Sequence, residues 1–345
     1  MMILIDALYI HNGGGKILLD YLVTNLEKTD IPVFYLFDQR LAHKPYSIKS
    51  SNRAIYLSTA LPLWSRYRFY RQHQHLFSKV FVLGNIPPLT RQTAETYTYF
   101  HNPMYISVPP DFSLVEKLKF RLKVAIIRHS SPNTDRWLVQ SPTLQAQFTD
   151  TFGQAEKIEI LPFFPELLPF SDIERQADTF LYVSNAQDNK NHIRLIQAFC
   201  RVYNRTQKGK LIVTVNQDYP KILVAITRAQ AQGYPIENIG FVGREELTRR
   251  YQAAQYIIFP SLAESFGLGL VEGISLGCKI IGADLPYTHA ICTPSLTFDP
   301  MDVDSIATAI ETAMMKELPA SHAKVENRLT ELIDLLSENG PVKTV

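Results

Sequence analysis

Short β-branched and aromatic runs alternate with helical patterns along this chain, and after a proline-rich break the alternation starts again. Met2–Asp6, Pro32–Phe37, Arg53–Ser58, Lys79–Leu83, Thr96–Phe100, Trp137–Gln140 and Lys157–Leu161 read as buried strands. Apolar 3–4 spacing between most of them, as in Gly15–Leu26 and Pro142–Thr151, reads as helix. Such alternation implies a parallel sheet with helices on both faces. Pro162-Phe163-Phe164-Pro165-Glu166 disfavours helix and suits a hinge, an ordinary loop being the plainer alternative. Thr179–Ser184, Lys210–Val215, Ile239–Val242, Gln255–Pro260 and Lys279–Ala283 then read as strands, with helices from about Lys190, Lys221, Glu245 and Gly267 and two after Asp302. The 345 residues therefore divide into two α/β domains, 1–164 and 165–345, the last helix free to pack back on the first. Ligands of such sheets sit at the carboxyl ends of strands, so two facing sheets predict a cleft between the domains.

Composition narrows the class. Apolar residues make up 46% and charged residues 20%, as in ordinary globular proteins. Asp6 interrupts the only apolar run at the N-terminus, which argues against a signal peptide, and no run of about 18 apolar residues follows. Cys200, Cys278 and Cys292 form no CxxC pair, and the nine histidines show no HxxxH or HExxH spacing. No metal is read from these patterns, and the expected location is the cytoplasm. Net charge is +2, but residues 1–165 carry 18 Lys/Arg against 12 Asp/Glu and the remainder 17 against 21. A basic first half beside an acidic second half points to different partners for the two.

The most informative stretch runs from Phe259 to Gly277. A strand ends at Pro260, a loop carries Glu264, and a helix starts near Gly267 with Gly269, Gly273 and Gly277 on one face. Each helical glycine costs about 1 kcal/mol relative to alanine, so a close approach to a ligand or to the sheet is expected in compensation. Free N–H groups at that helix start can hold an anion. Glu272 lies among apolar residues and glycines, where a hydroxyl-rich ligand would satisfy its carboxylate; a surface glutamate near a helix start is the alternative.

Glu264 and Glu272, seven residues between them and framed by Pro-Ser and Phe-Gly-Leu, resemble the signature of retaining glycosyltransferase family 4, whose members have the two-domain GT-B fold. The resemblance implies that Glu272 holds the nucleotide ribose, that Glu264 faces the transferred sugar, and that backbone amides of Phe266, Gly267 and Leu268 contact sugar and diphosphate. Asn12-Gly13-Gly14-Gly15-Lys16 after the first strand resembles the family's first loop, which puts Gly14 and Gly15 beside donor phosphates; alone it reads as a tight turn. His101-Asn102-Pro103 resembles the family's His-x-Pro, implying a histidine near the reacting sugar, although a lone histidine is commonly a packing residue. Lys190-Asn191 after the Phe180–Ser184 run matches the family's Lys-Asn, which gives Lys190 the leaving diphosphate. Asn185 stands where the family has arginine, so charge there falls to Lys190, the helix start and Arg244, for which a solvated arginine is the alternative. Val213-Thr214-Val215-Asn216 lacks the usual glycines.

Leu63 to Arg71 alternates aromatics with arginines, and Lys117–Arg128 adds five basic residues. Trp64, Arg66, Arg68 and Arg71 suit an anionic membrane surface or an acceptor, or else a helix covering the sheet with its arginines reaching water. No nucleic-acid motif accompanies them. The expectation is a metal-free, retaining, hexosyltransferase-like enzyme, with no cofactor beyond a nucleotide-diphosphate sugar as co-substrate. Its partners would be that sugar, a glycan or lipid-linked glycan acceptor and an anionic membrane at the inner face of the cell, in polysaccharide, lipopolysaccharide or capsule biosynthesis. The alternative is a non-catalytic GT-B partner subunit, for which Asn185 speaks. A dehydrogenase is disfavoured because no G-x-G-x-x-G follows a strand.

Overall fold

The computed structural model describes residues 1–58, 62–106, 114–153 and 155–337. It forms two compact units: Met1–Pro165 with the segment from Glu326 onward, and Glu166–Val325.

In the first unit the elements are β1 (Met2–Ala7), α1 (Gly13–Leu26), β2 (Val33–Asp38), β3 (Arg53–Leu57), α2 (Pro62–His73), β4 (Phe77–Val82), β5 (Glu95–Phe100), α3 (Leu114–Ser130), β6 (Arg136–Val139), α4 (Pro142–Phe152) and β7 (Ile158–Ile160). All seven strands are parallel, in the order β3-β2-β1-β4-β5-β6-β7. The direction of winding reverses between β1 and β4, which makes their carboxyl ends the expected place for a ligand. One core face gathers Leu4, Phe34, Leu36, Phe69, Tyr70 and Val80, and another gathers Phe100, Ile127, Trp137, Leu144 and Phe148. Because both faces of the sheet are covered, β2 is buried throughout and its sequence is almost wholly apolar.

The second unit contains β8 (Gln176–Tyr182), α5 (His192–Thr206), β9 (Lys210–Val213), α6 (Pro220–Ala231), β10 (Ile236–Asn238), α7 (Arg244–Ala253), β11 (Ala254–Phe259), α8 (Leu268–Ser275), β12 (Lys279–Ala283), α9 (Pro286–Ile291), β13 (Cys292–Thr293), β14 (Leu296–Phe298), α10 (Val303–Met315) and β15 (His322–Ala323). Its main sheet is parallel, in the order β10-β9-β8-β11-β12-β14, with the reversal between β8 and β11. A short antiparallel pair joins β13 to β15. The strand expected at Ile239–Val242 is displaced: β10 is Ile236–Asn238, and the chain leaves the sheet through Gly240 at φ +62°.

The chain then returns to the first unit as α11 (Leu329–Ser337). Arg328 N–H donates to the Pro162 carbonyl at 2.8 Å, Asn327 Nδ2 to the Tyr21 hydroxyl at 2.8 Å, and Lys79 Nζ to the Leu335 carbonyl at 2.5 Å. Among the described residues no helix is long and apolar enough to cross a membrane.

Candidate active site

Residues singled out in the sequence meet at the switch point of the second sheet. The loop after β8 ends in a tight turn, Asp188–Lys190, and the loop after β11 carries Glu264. Lys190 Nζ lies 2.5 Å from Glu264 Oε1, with only 16% and 11% of the two side chains exposed. Water screens so enclosed a pair less than a surface pair.

Backbone lacing fixes this geometry, and none of it was legible from motif spacing. Leu262 N–H donates to the Asn189 carbonyl at 2.8 Å, and Asn189 Nδ2 to the Ala263 carbonyl at 3.0 Å. Asn191 adopts φ +61°, a conformation asparagine tolerates, and its Nδ2 donates to the carbonyls of Pro260 and Pro300. The Tyr182 hydroxyl donates to the Lys190 carbonyl at 2.9 Å and lies 2.8 Å from Ser261 Oγ. Asn185 is exposed, and its carbonyl accepts from Ser184 Oγ.

Gly267, at φ +78°, caps the start of α8; Phe266 before it is buried and Leu268 is the first helical residue. The glycines of α8 have different uses. A Cβ on Gly273 would lie 2.5 Å from Ile257 Cγ1, so this glycine lets the helix touch β11. A Cβ on Gly269 would lie 3.2 Å from the Tyr251 hydroxyl and 3.3 Å from Phe259 Cε2. Gly277 departs from the expected glycine face: α8 ends at Ser275, and Gly277 follows it at φ +79°, a conformation that ends helices.

Glu272 is 5% exposed, not a surface glutamate. The Tyr251 hydroxyl donates to its Oε2 at 3.0 Å, and Arg244 Nη1 approaches Oε1 at 3.3 Å. Burial pushes the carboxyl above the ordinary glutamate value, against the pull of Arg244 and Tyr251. Arg244, the first residue of α7, therefore keeps company with Glu272. Tyr251 escaped the sequence reading because a tyrosine in a helix carries no signal of its partner.

In the first unit the structure brings Gly15 and His101 together. A Cβ on Gly15 would lie 3.1 Å from His101 Nε2, so the glycine makes room for the ring. Asn85, at φ +65°, accepts through Oδ1 from the N–H groups of His101 and Asn102 and so orients the loop after β5. Burial pushes the His101 imidazole down to about 4, which leaves it neutral near pH 7. Gly14 is exposed, with open space where a Cβ would point. Beside this loop, Arg40 forks onto Asp38 at 2.8 and 2.7 Å, and Asp38 Oδ2 also accepts from the N–H of Tyr9, at φ +79°. Sequence reasoning passed over these three residues.

Arg66 requires a correction. It does not belong to a membrane or acceptor surface: it is 2% exposed, and its Nε donates to Asp6 Oδ2 at 2.7 Å, where the Tyr70 hydroxyl donates too. Its Nη1 donates to the carbonyls of Ile86 and Pro87. Asp6, at the carboxyl half of β1, is itself buried, and an isolated carboxylate there would be prohibitive. Trp64, Arg68 and Arg71 are exposed, Arg68 stacking over the Trp64 ring at 4.7 Å and Arg71 over Tyr67 at 5.8 Å.

Residues 164–331 match the family model described as "Glycosyl transferases group 1". The O-antigen chain mannosyltransferase B of Escherichia coli is 28% identical over 134 residues, 38% of this chain and 35% of that protein. The O-antigen chain mannosyltransferase RfbU of Salmonella typhimurium is 24% identical over 247 residues, 70% of this chain and 65% of that protein. The chain thus spans only 35% and 65% of these curated relatives. Among solved structures, the sucrose-phosphate synthase of Thermosynechococcus elongatus superposes with a TM-score of 0.72 at 17% identity, over 91% of this chain and 90% of that one. The fold is GT-B, and residues 164–331 are similar to the group 1 glycosyl transferases.

Proposed function

We propose that the protein is a retaining glycosyltransferase, moving a sugar from a nucleoside diphosphate sugar to a hydroxyl of a glycan acceptor, free or lipid-linked. The observation that carries this reading is the Lys190–Glu264 pair at the switch point of a sheet within the matched family domain. When the bond from the anomeric carbon to the diphosphate breaks, negative charge grows on the leaving oxygens. Lys190 and the free N–H groups of Gly267 and Leu268 at the start of α8 meet that charge. This supply of positive charge lets the reading do without a metal ion. Diphosphate binding draws Lys190 from Glu264, whose carboxylate then accepts from hydroxyls of the transferred sugar. Glu272, held by Tyr251 and Arg244, accepts from the nucleotide ribose. Neutral His101 offers a hydrogen bond without a charge, and Gly15 leaves space for it.

The named activities of the two O-antigen relatives support an acceptor in surface polysaccharide assembly. A non-catalytic partner subunit is the second reading, favoured by the uncharged Asn185.

Calorimetry with a panel of nucleoside diphosphate sugars tests the donor site. A charge-assisted hydrogen bond is worth roughly 1.5–3 kcal/mol, so Glu272→Gln should weaken the bound donor at least about tenfold. Equal affinity would remove Glu272 from the ribose. If no donor bound the wild-type protein, the reading itself would fail.

A further inference from the structure

Helix α3 presents to solvent a face that ordinary helices bury. Leu114, Val115, Leu118 and Leu122 are 84%, 63%, 67% and 63% exposed, and the exposed Ala125 and His129 continue the same stripe at 3–4 spacing. The opposite face, with Phe120, Val124 and Ile127, already packs on Trp137 and Phe148. The helix is therefore apolar on two sides, and among the described residues only one of them is covered. Isolated surface leucines are ordinary, but a contiguous stripe on one helix marks an interaction surface.

Charge states what kind of partner fits. The sequence of α3 holds Lys117, Lys119, Arg121, Lys123 and Arg128 against the single acid Glu116. Lys119, Arg121, Lys123 and Arg128 are exposed, so basic groups line both margins of the stripe. Beside it a groove of about 510 Å³ is lined by Tyr105, Ile106, Arg121, Val124 and Arg128, apolar at the walls with two guanidinium groups. Apolar side chains along a helix with cations at their edges match the headgroup boundary of an anionic bilayer, where leucines enter the acyl region and the cations stay with phosphates.

We infer that α3 is the face by which the protein lies on an anionic lipid bilayer, with the Arg121–Arg128 groove receiving a lipid phosphate. This assignment is independent of the glycosyl-transfer reading, and it differs from the membrane role expected of Arg66, which is internal. The test is flotation of the full chain with vesicles of phosphatidylcholine alone or with 30% phosphatidylglycerol. Wild type should float with the anionic vesicles only, increasingly less as salt rises. Leu118→Glu with Leu122→Glu should lower partitioning at least tenfold at an unchanged melting temperature, since both side chains are solvent-exposed. Arg68→Glu with Arg71→Glu should change it less than threefold. The proposal is overturned if the α3 pair floats like wild type, if neutral vesicles bind equally, or if light scattering shows a dimer that the α3 pair abolishes.

Discussion

Replacing Arg66 by methionine tests the interior of the first unit. The substitution keeps much of the side chain's length and removes the guanidinium. Asp6 would retain only the Tyr70 hydroxyl at 2.7 Å and the Leu8 N–H at 3.2 Å. The carbonyls of Ile86 and Pro87, now accepting at 2.8 and 3.0 Å, would lose their donor. Breaking a buried pair by removing one partner costs about 3–5 kcal/mol, because a charge is left uncompensated. For a unit of this size that lowers the melting temperature by roughly 6–20 °C. The chain's two tryptophans, Trp64 and Trp137, both lie in the first unit, so tryptophan fluorescence in a urea titration reports that unit's unfolding. Arg68→Met and Arg71→Met, at exposed positions, should stay within about 0.5 kcal/mol. Adding Asp6→Asn to Arg66→Met should recover part of the loss. A loss below about 1 kcal/mol for Arg66→Met is what a solvated surface pair would give, and it would refute the buried-pair argument.

Two further outcomes follow from packing and burial. Gly273→Ala should destabilise the second unit by about 1–2 kcal/mol despite better helix propensity, because its Cβ would meet Ile257 at 2.5 Å; Gly14→Ala, facing open space, should be neutral, and denaturant titration compares the two. His192 is 2% exposed, and burial first, then Lys190, pushes its imidazole down to about 3, so the neutral form is favoured in the folded state. Its contribution to stability is present above the unfolded value of about 6.5 and is lost as pH falls towards 3. Between pH 7.5 and 5.5 wild type should lose about 1.4 kcal/mol more than His192→Gln. Parallel pH dependences in the two proteins would mean that this histidine does not titrate on unfolding.

The architecture was readable because both sheets are parallel and covered on both faces, so their strands stand out as continuous apolar runs. The sequence reading weakens where strands are short: β10, three residues long, is displaced, and β14, equally short, has no counterpart in it. Glu264, Lys190 and Glu272 stand out in the sequence through the family resemblance that their motifs carry. The hydrogen bonds that hold them could not, because Tyr182, Asn191 and Tyr251 meet their partners across long sequence separations. Arg66 misled for a related reason: an arginine among aromatics looks the same in sequence whether it reaches water or a buried aspartate. In α3 periodicity is ambiguous, since Leu114, Leu118 and Leu122 and also Phe120, Val124 and Ile127 recur at helical three- to four-residue spacing. Only the structure shows which set is covered.

Glycosyl transfer itself is open to test by product analysis. The protein is incubated with the donor that binds in calorimetry and with glycan or lipid-linked acceptors, and the reaction is followed by proton NMR. The expected result is release of the nucleoside diphosphate and a new glycosidic bond with the donor's anomeric configuration. Lys190→Ala should slow both together while the fold persists. A product of inverted configuration would contradict the retaining mechanism. Donor binding with no transfer to any acceptor, and equal donor affinity in Lys190→Ala, would contradict the assignment of this site to catalysis and leave the partner-subunit reading in its place.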